Sequence, residues 1–258
     1  MIKLIATDMD GTLLDGKGKL PEQFEEVFSQ LREKEILFAV ASGRQYFTLL
    51  ENFKELADKM LFIAENGTYV AYQGKELAVH PLKKEIAHQL IKEGRALGVN
   101  IILATSKGAY LESNEETFVS EVAKYYVKRE IVEDLLEIEG DILKVTICDM
   151  RGAEAHSYWA FKKFSDQAQI CIAGEIWIDM MANGVNKGTA ICDIQKQLGI
   201  TFEETMVFGD YLNDLEMLQN AYYSYAMANA HPKLKEVARF MAKSNVENGV
   251  IEKIKEII

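Results

Sequence analysis

Residues 4–15 read LIATDMDGTLLD. A short apolar run ends abruptly in two carboxylates, Asp8 and Asp10, and Gly11-Thr12 follows at once. The run IKLIAT (2–7), with its β-branched members, predicts a strand buried on both faces. Successive strand side chains alternate faces, so Asp8 and Asp10 are expected on the same side where the strand ends. In parallel α/β sheets that carboxyl end is where ligands bind. Paired acids there have three uses: metal ligation, proton transfer and nucleophilic attack. The alternative is a solvated turn, because Asp and Gly are ordinary turn residues.

The neighbouring segments predict a parallel sheet. PEQFEEVFSQLREKE (21–35) places Phe24, Val27, Phe28 and Leu31 on one helical face, with Pro21 at the first helical position. ILFAVASGR (36–44) is a second apolar run that breaks at Ser-Gly, so strand, helix and strand read as a crossover unit. MLFIAENG (60–67) predicts a third strand, with TYVAY (68–72) as its hairpin partner. Beyond Pro81 the pattern changes. Helices are expected at 83–98, 114–128 and 154–166, strands at 100–106 and 142–149, and a strand pair across 168–181 around Gly174. These make a separate lobe, a mixed sheet with helices on one face. The first rhythm then resumes: helix 187–198, strand 204–210, helix 212–220, strand 223–228 and helices 232–242 and 248–257. The expectation is one α/β core, residues 1–82 and 183–258, split by an inserted domain of about 100 residues, 83–182.

Composition bounds the chemistry. The chain has 258 residues, 48% of them hydrophobic, enough to bury a full core. No run approaches the roughly 18 apolar residues of a membrane span, and no basic segment followed by an apolar one opens the sequence. Cytoplasmic residence and no membrane partner are therefore expected. Cys148, Cys171 and Cys192 are widely spaced and form no C-x-x-C pair, which argues against a disulfide framework and a thiolate zinc site. His80, His88, His156 and His231 make no ligand spacing either. With 29 basic and 40 acidic side chains the net charge is −11, which disfavours nucleic acid as a partner. An anionic ligand would need a local cation or a few placed lysines.

Three further segment ends bear on the paired acids. AVASGR ends in Ser42 and Gly43, whose hydroxyl and backbone N–H suit phosphoryl oxygens at a helix N-terminus. GVNKG puts Lys187 at the start of a helix, where a cation opposes the helix dipole. VFGDYLND ends a strand in Gly209-Asp210 and adds Asn213 and Asp214 within one turn. Each also has a structural reading: Ser42 as a helix cap, Lys187 as a solvated charge, Asp210 to Asp214 as a capping cluster. Their joint occurrence at four ends of one predicted sheet favours a site. A calcium loop of the EF-hand kind fails on spacing, since Gly11 falls at the fourth loop position and Lys19 at the twelfth, where a bidentate Glu is required.

DMDGTLLD, ASGR, NKG and GDYLND, in that order, resemble motifs one to four of the haloacid dehalogenase superfamily of phosphohydrolases. ENGTYV and the tail AMANAHPKLKEVARFMAKSNVENGVIEKI extend the resemblance to its Cof-type branch. The resemblance implies a Rossmann-like parallel sheet core with helices on both faces and an inserted α+β cap of the C2 type. About 30 residues separate Asp10 from Ser42 and about 140 separate Arg44 from Lys187, so the cap falls after the second motif. It further implies a phosphatase acting on a small phosphorylated metabolite, such as a sugar phosphate, through an aspartyl-phosphate on Asp8. Asp10 would protonate the leaving oxygen and then deprotonate water. Mg²⁺ would be held by Asp8, the Asp10 carbonyl and Asp210, with Asp214 orienting its waters. Ser42, Gly43, Lys187 and Asn213 would bind the phosphoryl oxygens, and Arg44 and Asn66 are candidate substrate contacts. Two positions depart from the usual pattern: Tyr211 is commonly small or polar, and Ala228 is commonly glycine. A phosphomutase of the phosphomannomutase type and a catalytically silent metabolite-binding protein are the rival readings.

Overall fold

The computed structural model describes all residues, 1–258. In chain order the elements are β1 (Leu4–Asp8), α1 (Phe24–Glu33), β2 (Leu37–Ala41), α2 (Tyr46–Phe53), β3 (Leu61–Ala64), β4 (Tyr69–Tyr72), β5 (Lys75–Val79), α3 (Lys84–Leu97), β6 (Asn100–Thr105), β7 (Gly108–Leu111), α4 (Glu116–Ala123) and β8 (Arg129–Ile131). They continue with β9 (Ile142–Cys148), α5 (Tyr158–Phe161), β10 (Ala168–Ile172), β11 (Trp177–Ala182), α6 (Lys187–Leu198), β12 (Thr205–Gly209), α7 (Leu215–Gln219), β13 (Tyr223–Met227), α8 (Pro232–Val237), β14 (Phe240–Ala242) and α9 (Gly249–Lys255).

The strands form two sheets. Eight run in the order β14-β13-β12-β1-β2-β3-β4-β5, and six in the order β10-β11-β9-β6-β7-β8. From β14 to β3 the larger sheet is parallel, and β4 returns antiparallel to β3, the hairpin expected from TYVAY. β1 is central and wholly buried, as a run apolar on both faces requires. On α1, Phe24 and Phe28 pack their rings 5.5 and 6.0 Å from that of Phe38 in β2, which is why those positions recur at helical spacing. In the smaller sheet the strands pair antiparallel except β7 with β8.

The chain divides into two compact units. One comprises Met1–Gly43, Glu55–Ala78 and Asn186–Ile258; the other comprises Arg44–Lys54 and Val79–Val185. Helix α2 thus groups with the second unit, whereas the sequence assigns it to 1–82. The reason lies in its side chains. Gln45 Nε2 donates to Lys128 O at 2.9 Å and its Oε1 accepts from Lys128 N, while Thr48 Oγ1 donates to Tyr125 O at 2.8 Å and accepts from Val127 N. Two side chains thereby satisfy a backbone stretch that precedes β8.

Several elements differ from their expected form. Pro21 precedes the first helix in a turn, its carbonyl accepting from Phe24 N, and α1 begins only at Phe24. The helix expected over 232–242 stops at Val237. Ala238 is extended, and Phe240–Ala242 pairs with Tyr225–Met227 as an edge strand. The expected helix 114–128 ends at Ala123, and that over 154–166 breaks into short turns around α5. Nor does the smaller sheet carry helices on one face alone. Ile101 and Leu103 pack with α3, while the alternate residues Ile102 and Ala104 pack with Phe118 and Val122 of α4. No helix is long and apolar enough to cross a membrane.

Phe118 is fully buried under that second face, whereas Ile131 on β8 is exposed. Phe118→Ala should therefore cost about 3–5 kcal/mol in urea unfolding, and Ile131→Ala should stay within about 0.5 kcal/mol.

Candidate active site

Three neighbouring parallel strands end level with one another. Asp8 of β1 lies opposite Ala41 of β2, and Thr7 lies opposite Phe208 of β12. The residues that follow each strand, Met9 onward, Ser42-Gly43 and Asp210 onward, therefore emerge together at the carboxyl edge. The strand stops at Asp8. Asp10 then sits in a tight turn over Met9–Leu13, so the alternation argued from the sequence does not extend to it. Gly11 carries φ +83°, and a Cβ there would run into the Asp210 carboxylate.

Lys187 opens α6 and is fully buried. Its Nζ donates to Asp8 Oδ1 at 2.5 Å and to Asp214 Oδ1 at 2.6 Å. Asn186 caps the same helix by accepting from Thr189 N at 2.9 Å, which fixes the chain direction at which the lysine departs. The second oxygen of Asp214 accepts from the amides of Asp210 and Tyr211 at 3.0 and 3.1 Å. Asp214 is thus engaged through both oxygens by the protein itself, where the sequence reading gave it to the waters of a cation. Thr12 Oγ1 donates to Asp210 Oδ1 at 3.1 Å.

One oxygen from each of Asp8, Asp210 and Asp214 falls within 4.8 Å of the others. Three acids and one ammonium leave the cluster with excess negative charge. Burial pushes the Asp8 carboxyl well above the usual carboxylate range; Lys187 offsets part of this, and Asp214 and Asp210 add to it. Asp210 is pushed up to about 6, first by burial and then by Asp214, with Asp10 contributing. Burial alone would lower Lys187, but Asp214 and Asp8 outweigh it and hold the ammonium charged. A hard divalent cation fits such a donor set: oxygen ligands, partial burial and an unbalanced charge.

Asn213 Nδ2 donates to Asn66 Oδ1 at 3.4 Å, and Asn66 N donates to Ser42 O at 3.0 Å. The Asn66 amide also lies against Gly43, close enough that a Cβ there would meet Oδ1 at 3.1 Å. Ser42, Gly43, Asn66 and Asn213 are accordingly one group in the first unit. Arg44 opens the segment that groups with the second unit, and its Nη1 lies 3.4 Å from Asn52 Oδ1. Thr12 and Asn186 were missed as contributors, although both sit inside quoted motifs. Of the two departures, Tyr211 packs edge-on against His231 with ring centroids 5.7 Å apart. Ala228 takes no positive φ, so the missing glycine costs nothing in backbone conformation.

Residues 5–254 match the family model described as haloacid dehalogenase-like hydrolase. The 5-amino-6-(5-phospho-D-ribitylamino)uracil phosphatase YbjI of Escherichia coli (strain K12) is 33% identical, the match covering 100% of this chain and 96% of that protein. The HMP-PP phosphatase of Klebsiella pneumoniae (strain 342) is 27% identical, over 91% and 87% of the two chains. Among solved structures, SMU.1108c of Streptococcus mutans UA159 superposes with a TM-score of 0.89 at 32% identity, covering 100% of this chain and 99% of that one.

A raised carboxyl pKa favours the folded state while the proton is held, so the contribution of Asp210 is full below pH 4 and lost as the pH rises through about 6. In cation-free buffer Asp210→Asn should therefore gain stability on the parent between pH 4 and pH 7, by on the order of 1–2 kcal/mol after solvent screening. Paired urea titrations at the two pH values measure it.

Proposed function

Because the chain belongs to the haloacid dehalogenase-like hydrolase family, we propose that it is a Mg²⁺-dependent phosphatase that releases phosphate from small phosphorylated metabolites through an ester on Asp8. The observation that carries this reading is the buried Lys187 ammonium shared between Asp8 and Asp214, with Asp210 beside them. A solvated turn has no need of a lysine removed from water. Two relatives bear the names of phosphatases for different phosphorylated compounds, which supports the reaction class and a substrate of metabolite size.

In this reading the Asp8 carboxylate attacks phosphorus, and the bond to the leaving oxygen breaks as the new P–O bond forms. Asp10, exposed in the adjoining turn, gives its proton to that leaving oxygen. It then takes a proton from the water that attacks the aspartyl-phosphate, which returns Asp8 as a carboxylate and Asp10 as an acid. Lys187 holds Asp8 in place and supplies positive charge to the transferring oxygens. Ser42, Gly43 and Asn213 stand at neighbouring strand ends where an N–H, a hydroxyl or an amide can bind those oxygens, and Asn66 holds Asn213. Asp8, Asp210 and the Asp10 carbonyl would hold the Mg²⁺, whose chemistry there is to neutralise phosphate charge and keep the Asp8 carboxyl ionised. Asp214 orients Lys187 and the turn after β12. The second unit is assigned the role of a cap that excludes bulk water and selects the substrate.

Phosphate release from a panel of phosphorylated metabolites with Mg²⁺ tests the reading. Asp8→Asn should abolish turnover, and Lys187→Ala should lower kcat on the order of tenfold to a thousandfold. Activity should vanish in EDTA and return with added Mg²⁺. Normal turnover by the Asp8 variant, or by a metal-stripped sample, would overturn it.

A further inference from the structure

The segment AMANAH (226–231) carries no role in the chemistry above, yet it touches both acid-bearing loops. Asn229 Nδ2 donates to Gly11 O at 2.8 Å. Two residues on, His231 N donates to Asp210 O at 2.8 Å. Thr12 next to Gly11 donates to the Asp210 carboxylate, as described above. Gly11, Thr12, Asp210, His231 and Asn229 thus form a closed ring of hydrogen bonds and short chain links. The ring joins the turn after β1, the turn after β12 and the loop after β13.

The Asn229 side chain is itself held. Its Oδ1 accepts from Asn245 N at 3.1 Å, and Asn245 Nδ2 donates to Leu14 O at 2.8 Å. Two asparagines therefore bracket the turn at its Gly11 and Leu14 carbonyls. The amide cannot flip without losing both bonds, since its oxygen faces an N–H and its nitrogen faces a carbonyl. Lys235 Nζ donates to Ala228 O at 2.6 Å and secures the loop from its other end.

We propose that Asn229 is a positioning residue: by closing this ring it sets the separation of the Asp10 turn from Asp210. This rests on the reading of these acids as a cation-binding phosphatase site. Asn229 is exposed, so its bond to Gly11 adds little to stability. Its effect falls on geometry, because a closed ring leaves the two acid loops one relative position while an open one leaves a range. Supporting groups that orient metal-binding residues typically alter metal affinity or activity by about 10–100-fold.

The test uses the full chain with Asn229→Ala and Asn229→Asp. The aspartate keeps the acceptor for Asn245 but replaces the donor to Gly11 with a repelling oxygen. Mg²⁺ affinity is read by calorimetry in the absence of substrate, and kcat and KM are read on the best phosphate ester of the panel. Both variants should weaken Mg²⁺ binding about tenfold and lower kcat by a similar factor, with KM within about threefold and the midpoint of thermal unfolding within a few degrees. Mg²⁺ affinity within twofold of the parent in both variants would overturn the proposal. So would a loss confined to Asn229→Ala, since the donor would then be irrelevant. If the parent hydrolysed no ester in the panel, the phosphatase reading would fall, while calorimetry would still report whether Asn229 sets the cation site.

Discussion

At the first residue of α6 an ammonium is taken wholly out of water and set against the positive end of a helix dipole. Each of these placements is unfavourable for a lysine. Two hydrogen-bonded carboxylates, Asp8 and Asp214, offset both. Breaking one partner of such a pair commonly costs about 3–5 kcal/mol, because the charge left behind is buried and uncompensated. The lysine therefore ties three chain segments together: the end of β1, the turn after β12 and the start of α6. Asp214 extends the tie by accepting the two amides of the 210–211 turn, so that the acid loop takes its shape from the same carboxylate that holds the ammonium.

On the proposed function, this arrangement is how a chain of net charge −11 would receive an anionic substrate. The overall field is unfavourable, but inside a partly buried cluster local charges dominate, because solvent screens them less. One ammonium does not balance three acids, and the neighbouring carboxylates add to the upward shift that burial imposes on Asp8 and Asp210. A bound cation would offset that excess and so lower the barrier that the acids raise against a phosphate.

Much of the site was legible because it lies at strand ends, where an apolar run visibly stops. Asp8 ends an element, Ser42 and Asp210 follow one and Lys187 begins one, each with a clear period. The supporting residues were not, because their roles depend on closure between distant segments. Asn229 and Gly11 are far apart in sequence, and nothing local marks the bond between them. In the fold, β5, β7 and β8 are short strands with little alternation to read, and β14 was lost inside an apparent helix because three residues give no period. Helix α2 is a different case: Tyr46, Leu49, Leu50 and Phe53 recur at helical spacing and could have been recognised. Its grouping with the second unit, by contrast, follows from Gln45 and Thr48 completing a distant backbone stretch.

The larger sheet ends at β14, only three residues long, with Phe240 and Met241 exposed. An open edge of apolar residues invites a neighbouring chain to add a strand. Here Arg239 and Lys243 flank the triplet, and the Arg239 guanidinium lies over the rings of Tyr222 and Phe202. A strand this short, bracketed by two cations, offers an incoming chain few backbone partners and a charge at each end, the features by which gatekeeper residues blunt apolar edges.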